Sequence, residues 1–475
     1  MLAPSARRLP ASIEALIVGA GPTGLACALG LSARKVPFVL VDALSAGHNG
    51  SRSALTHAGA LEALGSTHPA LPAAIVADGT PSSAFRVVNI NRGPIFTLRF
   101  DKLAPFTKYP FSLCIPQHRV ERRMREALGH EIHWGNRVVG FREEEQEGSD
   151  GSRYAVDFES GETIRARYVV AADGSKSMLR NLAGIGLSDP YTKKPTQASP
   201  RELDPSFVVA DVVFEEPLPE NTPRSTMQVM IGGGSIVITS PIPPDASNEP
   251  GDRNFFRMYI GVPDTPPSKP QAEYLQAIVD KHGPGSRSAE LGPVPRIKRV
   301  VDSARYRVGL GLADRYFQRA AGGPAYLLLA GDTAHRHGPA GGQGMNLSIC
   351  DGVELAEAIA EHHSEVTRRK GRDAMEVFAD YESRRRSVAR KVIDLVEGMS
   401  SLERGTSGWR YWLQLAAMGA AFKIPFVNRM VAWQVSGLVH RKPGKQESVY
   451  GRLQSLGAAA KEEPLREPSY REVKI

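Results

Sequence analysis

Short, wholly apolar runs alternate with helical periodicity through the first part of the chain. Ala15-Leu16-Ile17-Val18 and Phe38-Val39-Leu40-Val41 show no polar face, the mark of strands covered on both sides, and Leu25 to Ser32 between them reads as an apolar helix. The same order returns at Ala166 to Val170, and late in the chain at Ala325-Tyr326-Leu327-Leu328-Leu329-Ala330, followed by a helix over Asn346 to His362. Between about Asp189 and Arg296 the period changes to two. Ser206 to Phe214, Thr226 to Ile231, Ser235 to Ile242 and Phe255 to Val262 predict an antiparallel sheet with one buried face, with Gly232-Gly233-Gly234 as a hairpin turn. Phe85 to Phe100 alternates about Arg92-Gly93-Pro94 and predicts a hairpin of that second sheet. Beyond the late strand, Ala374 to Met399 carries an apolar stripe of Phe378, Tyr381, Val388, Val392, Leu395 and Val396, which is core packing, and Trp409 to Val439 predicts a helical pair.

Candidate chemistry gathers at the ends of the buried strands. Gly19-Ala20-Gly21-Pro22-Thr23-Gly24 joins the first strand to its helix, and Asp42 closes the next strand. In that setting Gly19 permits the tight turn, Gly21 lets a pyrophosphate approach the backbone, Gly24 lets helix and strand pack, and Asp42 accepts from an adenosine ribose hydroxyl. The late strand leads into Gly331-Asp332-Thr333-Ala334-His335-Arg336-His337-Gly338-Pro339-Ala340-Gly341-Gly342-Gln343-Gly344-Met345-Asn346. Asp332 is placed to accept from ligand hydroxyls, the glycines from Gly341 to Gly344 admit a flat ligand, and the unpaired N–H groups of the helix start favour negative charge. Ala171-Ala172-Asp173-Gly174-Ser175-Lys176-Ser177 follows the middle strand, Arg52 follows the first strand-helix-strand unit, and Gln117 opens a helix ending near Leu128.

Taken in this order, the motifs resemble those of the class A flavin monooxygenases, the para-hydroxybenzoate hydroxylase family, over most of Ala15 to Met399. The resemblance implies an α/β fold: a Rossmann-type FAD-binding domain with an inserted antiparallel β-sheet substrate domain and a helical C-terminal segment. Residues 13–84, 105–188 and 301–365 would form the FAD-binding domain, a hairpin at 85–104 and residues 189–300 the substrate domain, 366–441 the C-terminal helices and 442–475 a flexible tail. FAD is the implied cofactor and NADPH or NADH the co-substrate. Gly331, Asp332, Pro339, Ala340, Gly341, Gly342, Gly344, Met345, Asn346 and Gln117 would hold the FAD. Asp173 would touch both FAD and the nicotinamide, and Arg52 the pyrophosphate. The implied reaction passes one oxygen of dioxygen, through a flavin hydroperoxide, to an electron-rich carbon of a small phenolic or polyketide-like substrate. A deprotonated phenol is the better nucleophile, so a base or relay is expected. His337 is the candidate, with Pro339 against the ring and Tyr259 and Arg257 as further candidates; His57 reads as structural. The alternatives are a flavin-dependent epoxidase of an isoprenoid and, from another class, an FAD-fold binding protein without turnover.

Composition narrows these readings. The chain has 475 residues, 41% of them hydrophobic, enough for two or three domains around a large core. Cys27, Cys114 and Cys350 are scattered, which argues against a metal site or disulfide framework and for a reducing, cytoplasmic setting. No secretory leader is expected, since the first apolar stretch is broken by glycines and Pro22. The net charge of +8 suits anionic ligands such as dinucleotide phosphates, an acidic membrane surface or nucleic acid, and dispersed arginines with no nucleic-acid motif exclude the last as the expected partner. The expected partners are an aromatic substrate and dioxygen, in a monomer or homodimer. The apolar 409–439 segment is interrupted by Arg410, Lys423, Pro425 and Arg429, too often to cross a bilayer, so a capping helical pair is expected, with an interfacial membrane contact as the second reading.

Overall fold

A computed structural model describes residues 8–47, 53–144, 153–196, 206–244, 252–286, 292–307, 309–368, 374–404 and 409–441. Its organising layer is an eight-stranded sheet whose main path runs Phe317–Arg319, Tyr326–Leu329, Thr163–Ala171, Ser12–Val18, Phe38–Val41, Ile132–His133. The last five of these strands are parallel. Arg153–Phe158 and Val138–Glu144 extend antiparallel from the lower half of Thr163–Ala171. The apolar runs are buried as their lack of a polar face requires: Leu16, Ile17, Leu40, Val169 and Leu328 have no exposed surface. Helix Pro22–Ala33 packs against helix Gln343–Arg368 through missing side chains, since a Cβ on Gly30 would lie 2.5 Å from the Ala356 Cβ and one on Gly352 only 2.3 Å from Thr23 O.

Register brings the motifs together. Val18 lies opposite both Val41 and Ala171, and Ala171 opposite Leu329. Four parallel strands therefore end level, and the turns carrying Gly19, Asp42, Asp173 and Gly331 leave from one rim, where open α/β sheets bind ligands.

The second sheet has seven strands in the order Ile297–Arg307, Ser206–Phe214, Phe255–Gly261, Ser235–Pro241, Met227–Gly232, Ala84–Asn89, Gly93–Arg99. Three sequence expectations need correction here. The sheet is antiparallel except at one junction, where Met227–Gly232 runs parallel to Ala84–Asn89. Its central strands are buried on both faces, because helix Ala272–His282, not foreseen from the sequence, packs Leu275, Ile278 and Val279 against Val208, Met258 and Ile260 on one side while the other side faces the first domain. Strand Ile297–Arg307 crosses the boundary drawn at 300 and pairs along its length with Ser206–Phe214.

The C-terminal helices Trp409–Lys423 and Pro425–Val435 cap the hairpin. Phe422 stacks on Phe96 at 3.9 Å, and Asn428 accepts from Arg99 N and donates to Thr97 O. Among the described residues no helix is long and apolar enough to cross a membrane. At the other end, the first strand begins at Ser12, and Leu9 N donates to Glu162 at 3.0 Å. Arg52 and the 442–475 tail lie outside the described residues.

Candidate active site

A cavity of about 770 Å³ opens at the level strand ends, and both glycine-bearing turns line it. Gly19, Gly21, Asp42, Gln117 and Asp173 lie along its walls with Asp332, His337, Pro339, Ala340, Gly341, Gly342, Gly344 and Met345. The second sheet closes it with Phe207, Met227, Ile236, Ile238, Tyr259 and Tyr306. The strand-end turns therefore give the cavity polar, backbone-rich walls, and the second sheet gives it apolar and aromatic ones. The volume falls in the upper part of the range for cofactor and ligand pockets, roughly 300–1,000 Å³.

Each wall is held by local chemistry. Asp42 accepts from Ala20 N at 2.7 Å and Leu44 N at 2.8 Å, which fixes the carboxylate across the first turn with acceptor capacity to spare. A Cβ on Gly24 would stand 1.8 Å from Gly19 O, and Gly331, at φ +64°, would place one 2.2 Å from Thr23 Oγ1. Both glycines are thus dictated by close packing of turn on helix. Thr333 bridges two motifs: its hydroxyl accepts from Gly174 N at 3.2 Å and lies 3.4 Å from Asp173 Oδ1. Buried Arg180 clamps the same pair, donating to Thr333 O and Ser175 O. Burial raises the Asp173 carboxyl, against hydrogen bonds from Ser177 and from the Leu179 and Met178 amides.

Beneath the late loop lies a charge network that the sequence did not reveal. Asp351, without exposed surface, accepts from Gly331 N at 3.0 Å, His335 Nε2 at 2.6 Å and Arg385 Nε at 2.5 Å. Burial alone would raise this carboxyl, yet Arg385 and His335 hold it down at about 2. Arg385 also meets Glu354 at 2.8 Å, and Tyr381 donates to Leu329 O at the strand end. His57, expected to be structural, proves so. It donates from Nε2 to Gly341 O at 2.8 Å, which leaves Nδ1 to accept from Ser112 Oγ at 3.1 Å.

Among the described residues, five predicted site residues do not line the cavity: Ala20, Gly24, Gly331, Asn346 and Arg257. Ala20, Gly24 and Gly331 support the turns from behind, while Asn346 uses its amide to accept from His57 N and donate to Leu55 O and Gly342 O. His337 does line it; its Nδ1 donates to Gly338 O, so Nε2 is the bare acceptor, and burial, then neighbouring His335, lowers its pKa. Arg257 lies buried in a two-point ion pair with Asp211, both contacts at 2.6 Å, and Tyr259 beside it is pushed by burial up to about 12. Sequence reasoning passed over Arg137, Arg307 and Arg336, which add positive charge to the wall. No metal-ligating cluster occurs among the described residues.

The family model described as FAD binding domain matches residues 12–258 and 296–396. The chain is 29% identical over 358 residues to 6-methylpretetramide 4-monooxygenase of Streptomyces rimosus, an alignment that takes in 73% of this chain and 56% of that protein. It is 25% identical over 413 residues to pentachlorophenol 4-monooxygenase of Sphingobium chlorophenolicum, covering 83% of this chain and 66% of the relative. The chain thus spans between about half and two thirds of the length of these relatives. The crystal structure of p-nitrophenol 4-monooxygenase from Pseudomonas putida superposes with a TM-score of 0.69 at 22% identity, covering 91% of this chain and 99% of that one, a likeness of fold.

Proposed function

The chain belongs to the FAD binding domain family, and on that footing we propose that it is an NAD(P)H-dependent monooxygenase that hydroxylates a small phenolic or polyketide-like aromatic. The observation that supports this reading is one cavity lined together by Gly19, Gly21 and Asp42, by Asp173, Asp332 and the Pro339 to Met345 loop, and by apolar and aromatic side chains of the second sheet. Bound there, FAD supplies acceptance of hydride from NAD(P)H and activation of dioxygen, so that one oxygen atom enters the substrate and the other leaves as water. The protein's share is binding, orientation and exclusion of water.

Asp42 would hold the ribose end, and the N–H groups at the start of helix Gln343–Arg368 would favour the anionic reduced ring. Phe207, Met227, Ile236 and Ile238 offer a flat substrate an apolar face. The bare Nε2 of His337 is suited to receive a phenol proton, and its lowered pKa keeps it neutral for that task. The names of the relatives support an aromatic or polyketide substrate, since those proteins are called monooxygenases of pretetramide and pentachlorophenol. A panel of phenols and polycyclic aromatics, scored by acceleration of NAD(P)H oxidation together with product mass, tests the reading. A substrate that speeds oxidation and gains one oxygen atom is expected. Oxidation that yields only hydrogen peroxide across phenolic and polycyclic ligands would overturn it.

A further inference from the structure

Outside the cavity, exposed large apolar side chains concentrate on the C-terminal helix pair: Leu413 is 61% exposed, Ile424 53%, Phe426 46% and Met430 40%. Ala416, Ala417 and Ala420 continue the outer face of the first helix and are exposed as well. The inner faces of the same helices are already used, Tyr411 and Leu415 packing on Ile231 and Ile236, and Trp433 and Val435 packing in the cluster that holds the hairpin. An amphipathic helix normally turns charge outward; this pair turns apolar surface both ways.

The segment that carries the patch is basic in sequence, and the acids beside it, Asp101 and Glu62, are each paired with an arginine. From Arg404 to Gln446 the sequence contains no Asp or Glu but seven Lys and Arg. Arg441 is paired with Glu62, whereas exposed Lys423, beside Ile424, forms no ion pair among the described residues, and half-buried Arg429, beside Met430, keeps its Nε buried without a hydrogen-bond partner. A symmetric pairing of two such faces would bring cation against cation at an apolar seam. An anionic lipid surface satisfies both features at once, taking the apolar side chains into the headgroup layer and the cations against the phosphates. We propose that the outer face of helices Trp409–Lys423 and Pro425–Val435 docks the protein on an anionic membrane surface without crossing it. Docking is independent of the proposed reaction and stands or falls separately from it.

Flotation of the FAD-loaded full chain with phosphatidylcholine vesicles, with and without phosphatidylserine, tests the proposal. The protein is expected to float with the anionic vesicles, to float far less with neutral ones, and to be released by salt. The double variant Leu413→Ser/Phe426→Ser and, separately, Lys423→Glu should each weaken binding about tenfold or more. All these side chains are exposed, so flavin content should stay at the parent level and report an intact fold. Failure to float with anionic vesicles, or flotation unchanged by the substitutions, overturns the proposal. So does a concentration-dependent dimer, lost in the same variants, from a protein that ignores vesicles; that result assigns the face to a second copy.

Discussion

His57 couples the late loop to pH. It holds Gly341 O and a serine hydroxyl only while neutral on Nδ1, and burial lowers its pKa to about 4. In the unfolded chain the same imidazole titrates near 6.5. Between those values the unfolded state binds more protons, so stability is fully present above about 6.5 and is lost as pH falls towards 4, by up to roughly 3 kcal/mol from this group. Denaturant unfolding of the parent and of His57→Gln should therefore show a gap that shrinks as pH is lowered from 7 to 4; parallel profiles would rule the coupling out. The sequence exposed some of these residues and hid others for a physical reason. Asp332 was legible because it stands at a strand end among glycines, where a carboxylate has little structural use. Asp351 looks like an ordinary helical acid, and its partners His335 and Arg385 are set by tertiary packing that no local pattern records.

Among elements, the strand-turn-helix units were readable because an unbroken apolar run and a glycine turn admit few alternatives. The second sheet was readable in its strands and not in its order: period two identifies a half-buried strand but is blind to which neighbour it takes, so the parallel junction of Met227–Gly232 with Ala84–Asn89 stayed hidden. Helix Ala272–His282 did leave a trace, the spacing of Leu275, Ile278, Val279 and His282, though it lies in a proline-rich stretch read only for strands. The packing of turn on helix gives a direct test at this scale. Because a Cβ on Gly24 would lie 1.8 Å from the backbone oxygen of Gly19, Gly24→Ala must push helix Pro22–Ala33 away from the first strand. A loss of about 1–3 kcal/mol is expected, as for overpacked cores, together with weaker FAD retention. A variant as stable as the parent would mean that the turn is looser than described.

At the scale of the whole molecule, the chain leaves the first sheet to build the second and returns to it, so residues more than three hundred positions apart line a single cavity. Gly19 and Asp42 belong to the first strand-helix-strand unit, Asp332 and Pro339 to the last, and level strand ends place them on one rim. The convergence was foreseeable only through the family resemblance; the residues by themselves gave two separate ligand-binding turns. The aromatic wall is the face that we propose receives the substrate, and the capping helices pack on it through Ile236. The most direct measurement is a titration of the apoprotein with FAD, comparing the parent with Asp42→Ala and Asp332→Ala. One equivalent should bind to the parent, and each variant should bind the same single FAD at least about tenfold more weakly, the loss of a good hydrogen bond to a charged group. Full affinity in either variant would contradict the claim that the two turns grip one cofactor.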